Sequence, residues 1–232
     1  MALIVLWDID HTLIDNAGVS KEIYAAAFEA VAHRRPSGPA VTEGRTDRLI
    51  MREMFNRDGL AQPGWSVVQA ALEAAGRARS EALRLRGRAL PGVREALTAV
   101  AQEPGVVSSV LTGNIAANAR LKLAAFGLDD LVDLGVGAYG ADHRDRAALV
   151  AVARDRVHVA HAVPVDSPVV LVGDTPRDVE AALTSGVQIV AVATGVHSAS
   201  DLRVAGAEVV LPDLTDTAAL LAHLACVAAK QD

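Results

Sequence analysis

Four aspartates fall in two short stretches, Asp8-Ile9-Asp10-His11-Thr12-Leu13 and Gly173-Asp174-Thr175-Pro176-Arg177-Asp178. In an extended segment, alternate residues point the same way, so Asp8 and Asp10 are expected on one side of a strand end, a few ångströms apart. Like charges so close are costly unless a cation lies between them. Carboxylate oxygens from two strand ends suit a hard divalent cation, and Mg²⁺ with a phosphate completing its shell is the expected ion. A cap explains any one of these aspartates: Asp8 can close a turn, and Asp174 and Asp178 can cap a helix starting at Pro176. Caps do not explain all four together.

Phosphoryl transfer gives the set a purpose. Hydrolysis of a phosphate monoester is very slow uncatalysed, and a carboxylate nucleophile splits it into two steps through an aspartyl phosphate. Asp8 suits that role, while a second carboxyl, Asp10, can protonate the departing oxygen and later activate water. Donors for the phosphate oxygens come from Thr112-Gly113-Asn114, a hydroxyl and backbone N–H groups before a helix. By itself that Thr reads as an N-cap. A cation is also needed; Arg146 is chosen because it opens a helical pattern, and Arg144 is the alternative.

These residues need a scaffold that gathers them. Continuous apolar runs at 3–7, 106–111, 169–172 and 188–193 each end in polar or glycine residues, the pattern of strands buried on both faces of a parallel sheet. Weaker strands are expected at 131–136 and 208–211. Helical patterns at 91–102, 115–126, 146–161, 176–184 and 215–227 alternate with them, which specifies an α/β fold with a doubly wound parallel sheet. Residues 16–88 break the alternation with amphipathic helical segments near 21–33, 48–56 and 67–86. They read as an inserted all-α cap domain on a Rossmann-like core of 1–15 and 89–232, with exits marked by Ala17-Gly18 and Leu90-Pro91-Gly92. Ligands of open α/β sheets bind beyond the strands' carboxyl ends, so the insertion would form a lid there.

Composition restricts the partners. The chain has 232 residues, 51% apolar and 22% charged, enough for a large core, and only 3% aromatics. Scarce aromatics and a net charge of −6, from 22 basic and 28 acidic residues, argue against nucleic-acid binding. A small-molecule partner is expected. No apolar run nears the length of a membrane span, and the first residues do not read as a signal peptide, so the expectations are no membrane and a cytoplasmic address. The single cysteine, Cys226, fits a reducing compartment and reads as a packed residue of an Ala-rich helix.

The motifs, in this order, resemble the haloacid dehalogenase-like (HAD) hydrolase superfamily, specifically its phosphatases with a helical cap inserted after the first strand, of the phosphoglycolate phosphatase and beta-phosphoglucomutase type. DIDHTL resembles the DxDxT signature, LTGN the Ser/Thr motif, Arg146 the basic motif and GDTPRD the GDxxxD motif. The resemblance implies Asp8 as nucleophile, Asp10 as acid/base, and Thr112 and Arg146 as phosphate ligands. It further implies Mg²⁺ held by Asp8, the Asp10 backbone carbonyl and Asp174, with Asp178 supporting. Caps of this type carry a substrate-selecting loop, which puts Arg45 and Arg48 in reach of the leaving group. Two departures stand out. His11 occupies a position usually held by Gly, so the loop is not expected to use positive φ freely, and His11 is expected to pack or face solvent. Arg replaces Lys at the basic position, which changes donor geometry.

The second Asp favours a phosphatase over dehalogenases and phosphonate-cleaving relatives, which have no ester oxygen to protonate. A sugar-phosphate mutase retains both acids, and a non-catalytic phosphate-binding module is a further alternative. Oligomeric state, monomer or homodimer, is open. Gly135-Val136-Gly137-Ala138-Tyr139-Gly140 fits GxGxxG, but it is not on the first βα turn, which disfavours a dinucleotide enzyme. His158 and His161 have metal-like spacing without a third ligand and read as a helix end. Arg77, Arg79, Arg84, Arg86 and Arg88 read as a solvated helix face.

Overall fold

A computed structural model describes residues 2–229; Met1 and residues 230–232, the outermost parts of the expected core ranges, lie outside the described residues. Strand β1 (Leu3–Trp7) leads into a short β2 (Ile14–Asp15), followed by helices α1 (Val19–Ala32), α2 (Asp47–Arg57), α3 (Trp65–Ala78) and α4 (Ser80–Arg86). The chain returns through β3 (Arg88–Ala89) and alternates α5 (Val93–Gln102), β4 (Val106–Val110), α6 (Ala116–Ala124), α7 (Arg146–His161), β5 (Val169–Gly173) and α8 (Pro176–Thr184). It finishes with β6 (Gln188–Val192), α9 (Ala199–Val204), β7 (Val209–Leu211) and α10 (Thr217–Ala229).

Five strands form one parallel sheet in the order β4-β1-β5-β6-β7. Alternation along β1 explains the layers. Leu3, Val5 and Trp7 face a cluster containing Leu97, Leu123 and Leu220, from α5, α6 and α10. Ile4 and Leu6 face a second, with Leu149, Val179 and Leu202 from α7, α8 and α9. All five β1 side chains are buried, each removal from water contributing roughly 1.5–3 kcal/mol. Trp7 also satisfies its indole N–H, which donates to Ser108 Oγ at 3.0 Å. The helices between β2 and β3 bury a third cluster, including Ile23, Met51 and Leu72, in which Phe28 and Phe55 stack with ring centroids 4.7 Å apart.

Several expectations need correction. Residues 131–136 form no strand: a 3-10 turn at Asp129–Leu131 leads into a loop in which the Asp133 side chain accepts from Gly135 N at 2.8 Å. That local bond competes with a ladder, leaving only isolated pairing to β4 through Asp133 N and Ala138 N. The helix expected over 67–86 breaks at Arg79 into α3 and α4, with Ser80 Oγ donating to Arg77 O at 3.0 Å. Antiparallel pairing of β2 with β3 ties the exit of the insertion to its return, which apolar periodicity did not reveal in segments of two residues each. The six-residue α9 was not anticipated either, although Ser198 and Asp201 form a capping box. Cys226 is exposed rather than packed, because α10 buries the face carrying Leu220, Leu224 and Val227. Among the described residues no helix is long and apolar enough to cross a membrane.

Candidate active site

Parallel register brings the functional segments side by side. Trp7 pairs with Val110 on one flank and Val172 on the other, so Asp8, Thr112 and Asp174 emerge along one carboxyl edge. One cavity there is lined by Asp8, Asp10, Thr112, Asn114, Arg146 and Asp174, with Ser20, Tyr24, Gly44 and Arg45 from the helical insertion opposite. The insertion covers this edge as a lid. The enclosed space is about 40 Å³, on the order of three waters.

Two charge networks divide the cavity. In the first, Asp8, Asp174 and Asp178 are all buried and bring carboxylate oxygens within 4.8 Å of one another. Arg146, the first residue of α7, joins them: its Nη2 lies 3.0 Å from Asp8 Oδ1 and 2.6 Å from Asp178 Oδ1. Asp178 does two jobs, because its other oxygen accepts from Thr175 N and Oγ1 at 3.0 and 2.7 Å in the capping box of α8. Asp174 accepts from the buried Thr12 hydroxyl at 3.1 Å. Burial pushes Asp8 up to about 6 and outweighs the opposing pull of Arg146, with Asp178 and Asp10 pushing further up. Burial, Asp178 and Asp8 likewise raise Asp174 well above the usual carboxylate range. Three carboxylates against one guanidinium leave two uncompensated charges, and their oxygens are hard donors. The cluster therefore fits one divalent ion such as Mg²⁺. The Asp10 carboxylate is not in this cluster, so among Asp10's groups only the backbone carbonyl, as the resemblance implies, is left for the ion.

The second network surrounds Asp10 and holds a residue the sequence did not single out. Lys122, on α6 and 1% exposed, places Nζ 2.8 and 2.6 Å from the two Asp10 oxygens, and also donates to Ser20 Oγ and Asn114 Oδ1 at 2.8 and 2.7 Å. Asn114 and Asn16 donate to Asp10 at 2.9 and 2.7 Å. Burial would raise Asp10, but Lys122 and these amides overcome it and hold the carboxyl at about 2. The available signal was a lone lysine in the apolar pattern of α6, where an unpaired charge would not be buried.

Other expected residues divide. Thr112 is fully buried and its hydroxyl accepts from Asn114 Nδ2 at 2.8 Å. Gly113 has no room for a Cβ, which would meet the Arg45 carbonyl, and Gly113 O accepts from Asp47 N at 2.7 Å across the lid. Arg45 lines the cavity but is ion-paired to Glu53. Arg48 turns away, donating to Ala141 O at 2.7 Å and lying 4.5 Å over the Trp65 ring, so it is removed from the expected contacts. Arg144 is exposed and does not line the cavity, which separates it from Arg146. His11 does adopt positive φ, 62°, contrary to expectation. Its carbonyl is held by the Thr194 hydroxyl at 2.5 Å and its side chain lines the cavity.

In the lid, buried Tyr24 donates to Asp47 at 2.5 Å while Ile115 N donates to the other oxygen at 2.8 Å. Burial carries Asp47 up to about 6 against those bonds. Outside the site, His158 Nδ1 donates to Val163 O and His161 pairs with Asp133, so the two imidazoles serve separate local contacts. The glycines at 135–140 precede a loop, and α7 starts only at Arg146.

The family model for haloacid dehalogenase-like hydrolase matches residues 5–183. No curated protein sequence matches the chain. Among solved structures, a predicted phosphatase from Clostridium acetobutylicum is similar with a TM-score of 0.66 at 16% identity, covering 96% of this chain and 99% of that one. A hydrolase from Pseudomonas syringae gives 0.63 at 22%, covering 98% and 99%. A protein from Thermotoga maritima, assigned as a beta-phosphoglucomutase, gives 0.57 at 22%, covering 96% and 99%. At these identities the likeness is one of fold.

Proposed function

The chain belongs to the haloacid dehalogenase-like hydrolases, and on that premise we propose that it is a Mg²⁺-dependent phosphatase of small-molecule phosphate monoesters. The core comprises 1–15 and 89–232, the cap 16–88, and the setting is cytoplasmic. One observation carries the reading: two carboxylates facing one cavity sit in opposite electrostatic settings, Asp8 among acids and Asp10 beside a buried ammonium.

Asp8 is the nucleophile. Its oxygen forms a bond to phosphorus as the P–O ester bond breaks, giving an aspartyl phosphate and an alcohol whose oxygen takes a proton from Asp10. Water then attacks phosphorus, Asp10 accepts its proton, and Asp8 and inorganic phosphate separate. Thr112, Gly113 and Asn114 hold the phosphoryl oxygens, and Arg146 offsets their charge. When bound by Asp8, Asp174 and the Asp10 carbonyl, Mg²⁺ neutralises charge on the phosphoryl group; Asp178 supports it and fixes Arg146. Lys122 positions Asp10 and, with Asn114, favours the ionised base required by the second step; the protonated form that the first step draws on is the minority form. The closed cavity holds a phosphoryl group but little of a leaving group, so the cap lifts to admit substrate. Arg45 contacts the leaving group.

The test is Mg²⁺-dependent release of phosphate from phenyl phosphate by the full chain. No release, with the protein folded and Mg²⁺ in excess, rejects the reading. Interconversion of sugar phosphates faster than phosphate release assigns a mutase instead, and phosphate binding without turnover assigns a binding module.

A further inference from the structure

A second cavity, about 330 Å³, opens on the far side of the wall formed by Gly44, Arg45 and Arg146, all of which line both spaces. Its sides come from three elements: Arg52 on α2 of the cap, Arg144 just before α7, and Arg177 on α8. These arginines make no ion pair or hydrogen bond through their side chains among the described residues, whereas Arg45 is paired to Glu53 and Arg146 to Asp8 and Asp178. Asp145 and Glu180 also line the space, but Asp145 is engaged in capping α7. Beneath them Arg146, 7% exposed, keeps its Nε buried without a partner. α7 begins at this groove, and a helix N-terminus favours anions, while α8 lines it with one face from Arg177 to Thr184.

Three unengaged guanidinium groups converging from cap and core present the planar donor forks that match oxyanions. We propose that this groove is a second anion site, which takes a phosphate group and clamps the cap to the core. It does not depend on turnover at Asp8. The phosphate group belongs either to a free ligand or to the distal end of a substrate reaching past Arg45; the chemistry recognised is the same. Because Arg52 moves with the cap while Arg144 and Arg177 stay with the core, bound phosphate opposes the opening that substrate access requires.

Calorimetric titration with inorganic phosphate tests this. In EDTA the acidic cluster around Asp8 repels anions, so binding reports the groove. Wild-type protein is expected to bind about one phosphate, and R144A/R177A at least tenfold more weakly; R52A, which touches only the cap side, is expected to weaken it several-fold. In excess Mg²⁺ a further site is expected in all three proteins. Absence of that further site undermines the phosphatase reading but leaves the groove intact. Equal phosphate affinity of wild type and R144A/R177A in EDTA, or no binding by folded wild type, overturns the proposal. The source of the phosphate is read from kinetics. Added phosphate lowering kcat in wild type but not in R144A/R177A supports a free ligand. A KM in R144A/R177A that rises several-fold for 4-phosphonooxyphenyl phosphate and not for phenyl phosphate supports a substrate with a second phosphate.

Discussion

Asp8 and Asp10 are two residues apart and line the same cavity, yet one is pushed up to about 6 and the other held at about 2. Both carry a burial penalty. What separates them is company: Asp8 shares a single guanidinium with Asp178 and lies beside Asp174, while Asp10 takes hydrogen bonds from an ammonium and two amides. Neighbouring carboxylates thus acquire distinct charge settings from elements more than a hundred residues away, α6 on one side and α7 and α8 on the other. Excess negative charge suits the Asp8 side for a divalent ion, and the paired ammonium keeps Asp10 ionised.

The hardest blow to this contrast is Asp8→Asn. Turnover of phenyl phosphate is expected to fall by on the order of 10⁴-fold or more, as for a removed nucleophile. Removing one of three crowded acids should not lower the melting temperature in EDTA; a sharp drop in melting temperature would mean that Asp8 is chiefly structural.

Arg146→Met acts on the same side. It leaves three buried acids without a counter-charge, and breaking such a pair costs about 3–5 kcal/mol. Midpoints of urea unfolding in EDTA should show the loss, and excess Mg²⁺ should restore part of it. Equal recovery in its absence would count against a cation-hungry cluster.

Lys122→Met addresses the other side. Asp10's pKa lies below its ordinary 3.8, at about 2, so its charge contributes stability above about pH 4 that is lost as pH falls through about 2. That difference is worth roughly 2 kcal/mol. In Lys122→Met the acid limb between those pH values should flatten, and the pH–rate profile should shift its lower inflection upward. A structural lysine alone would leave the inflection in place.

In the wild-type protein, Asp8 and Asp47 stand above 3.8, at about 6, so in the folded state they bind protons that the unfolded chain releases. Stability in EDTA should therefore decline as pH rises from about 4 through about 6, by on the order of 1 kcal/mol or more per group. Excess Mg²⁺ should remove Asp8's share and leave that of Asp47, which lies in the lid. Identical pH dependence with and without Mg²⁺ would break the distinction.

The smallest effect belongs to His11→Gly. A residue other than glycine at φ 62° is strained by roughly 1 kcal/mol, offset by the chain entropy of glycine. Unfolding midpoints should shift by less than about 1 kcal/mol, with the kcat of phenyl phosphate hydrolysis changed less than about threefold.

Much was legible in the chain itself. Continuous apolar runs located β1, β4, β5 and β6 to within a residue at either end, because strands buried on both faces admit few polar residues. The helical insertion and the acidic pairs also followed from local pattern, which left Arg144 and Arg146 both open; the structure places Arg146 at the cavity. Periodicity could not reveal β2 and β3, whose pairing is decided by the chain's path rather than by their own residues. The strand expected at 131–136 failed because an aspartate side chain captured the backbone locally.

What the sequence determined by itself was the supply of chemistry: acids at strand ends, donors at a helix start and a helical lid placed between them. Only tertiary structure decided how the charges were shared. Lys122 went to Asp10 and Arg146 to Asp8 because parallel register fixes which helices flank which strand end, and a buried charge is stable only with its partner close at hand.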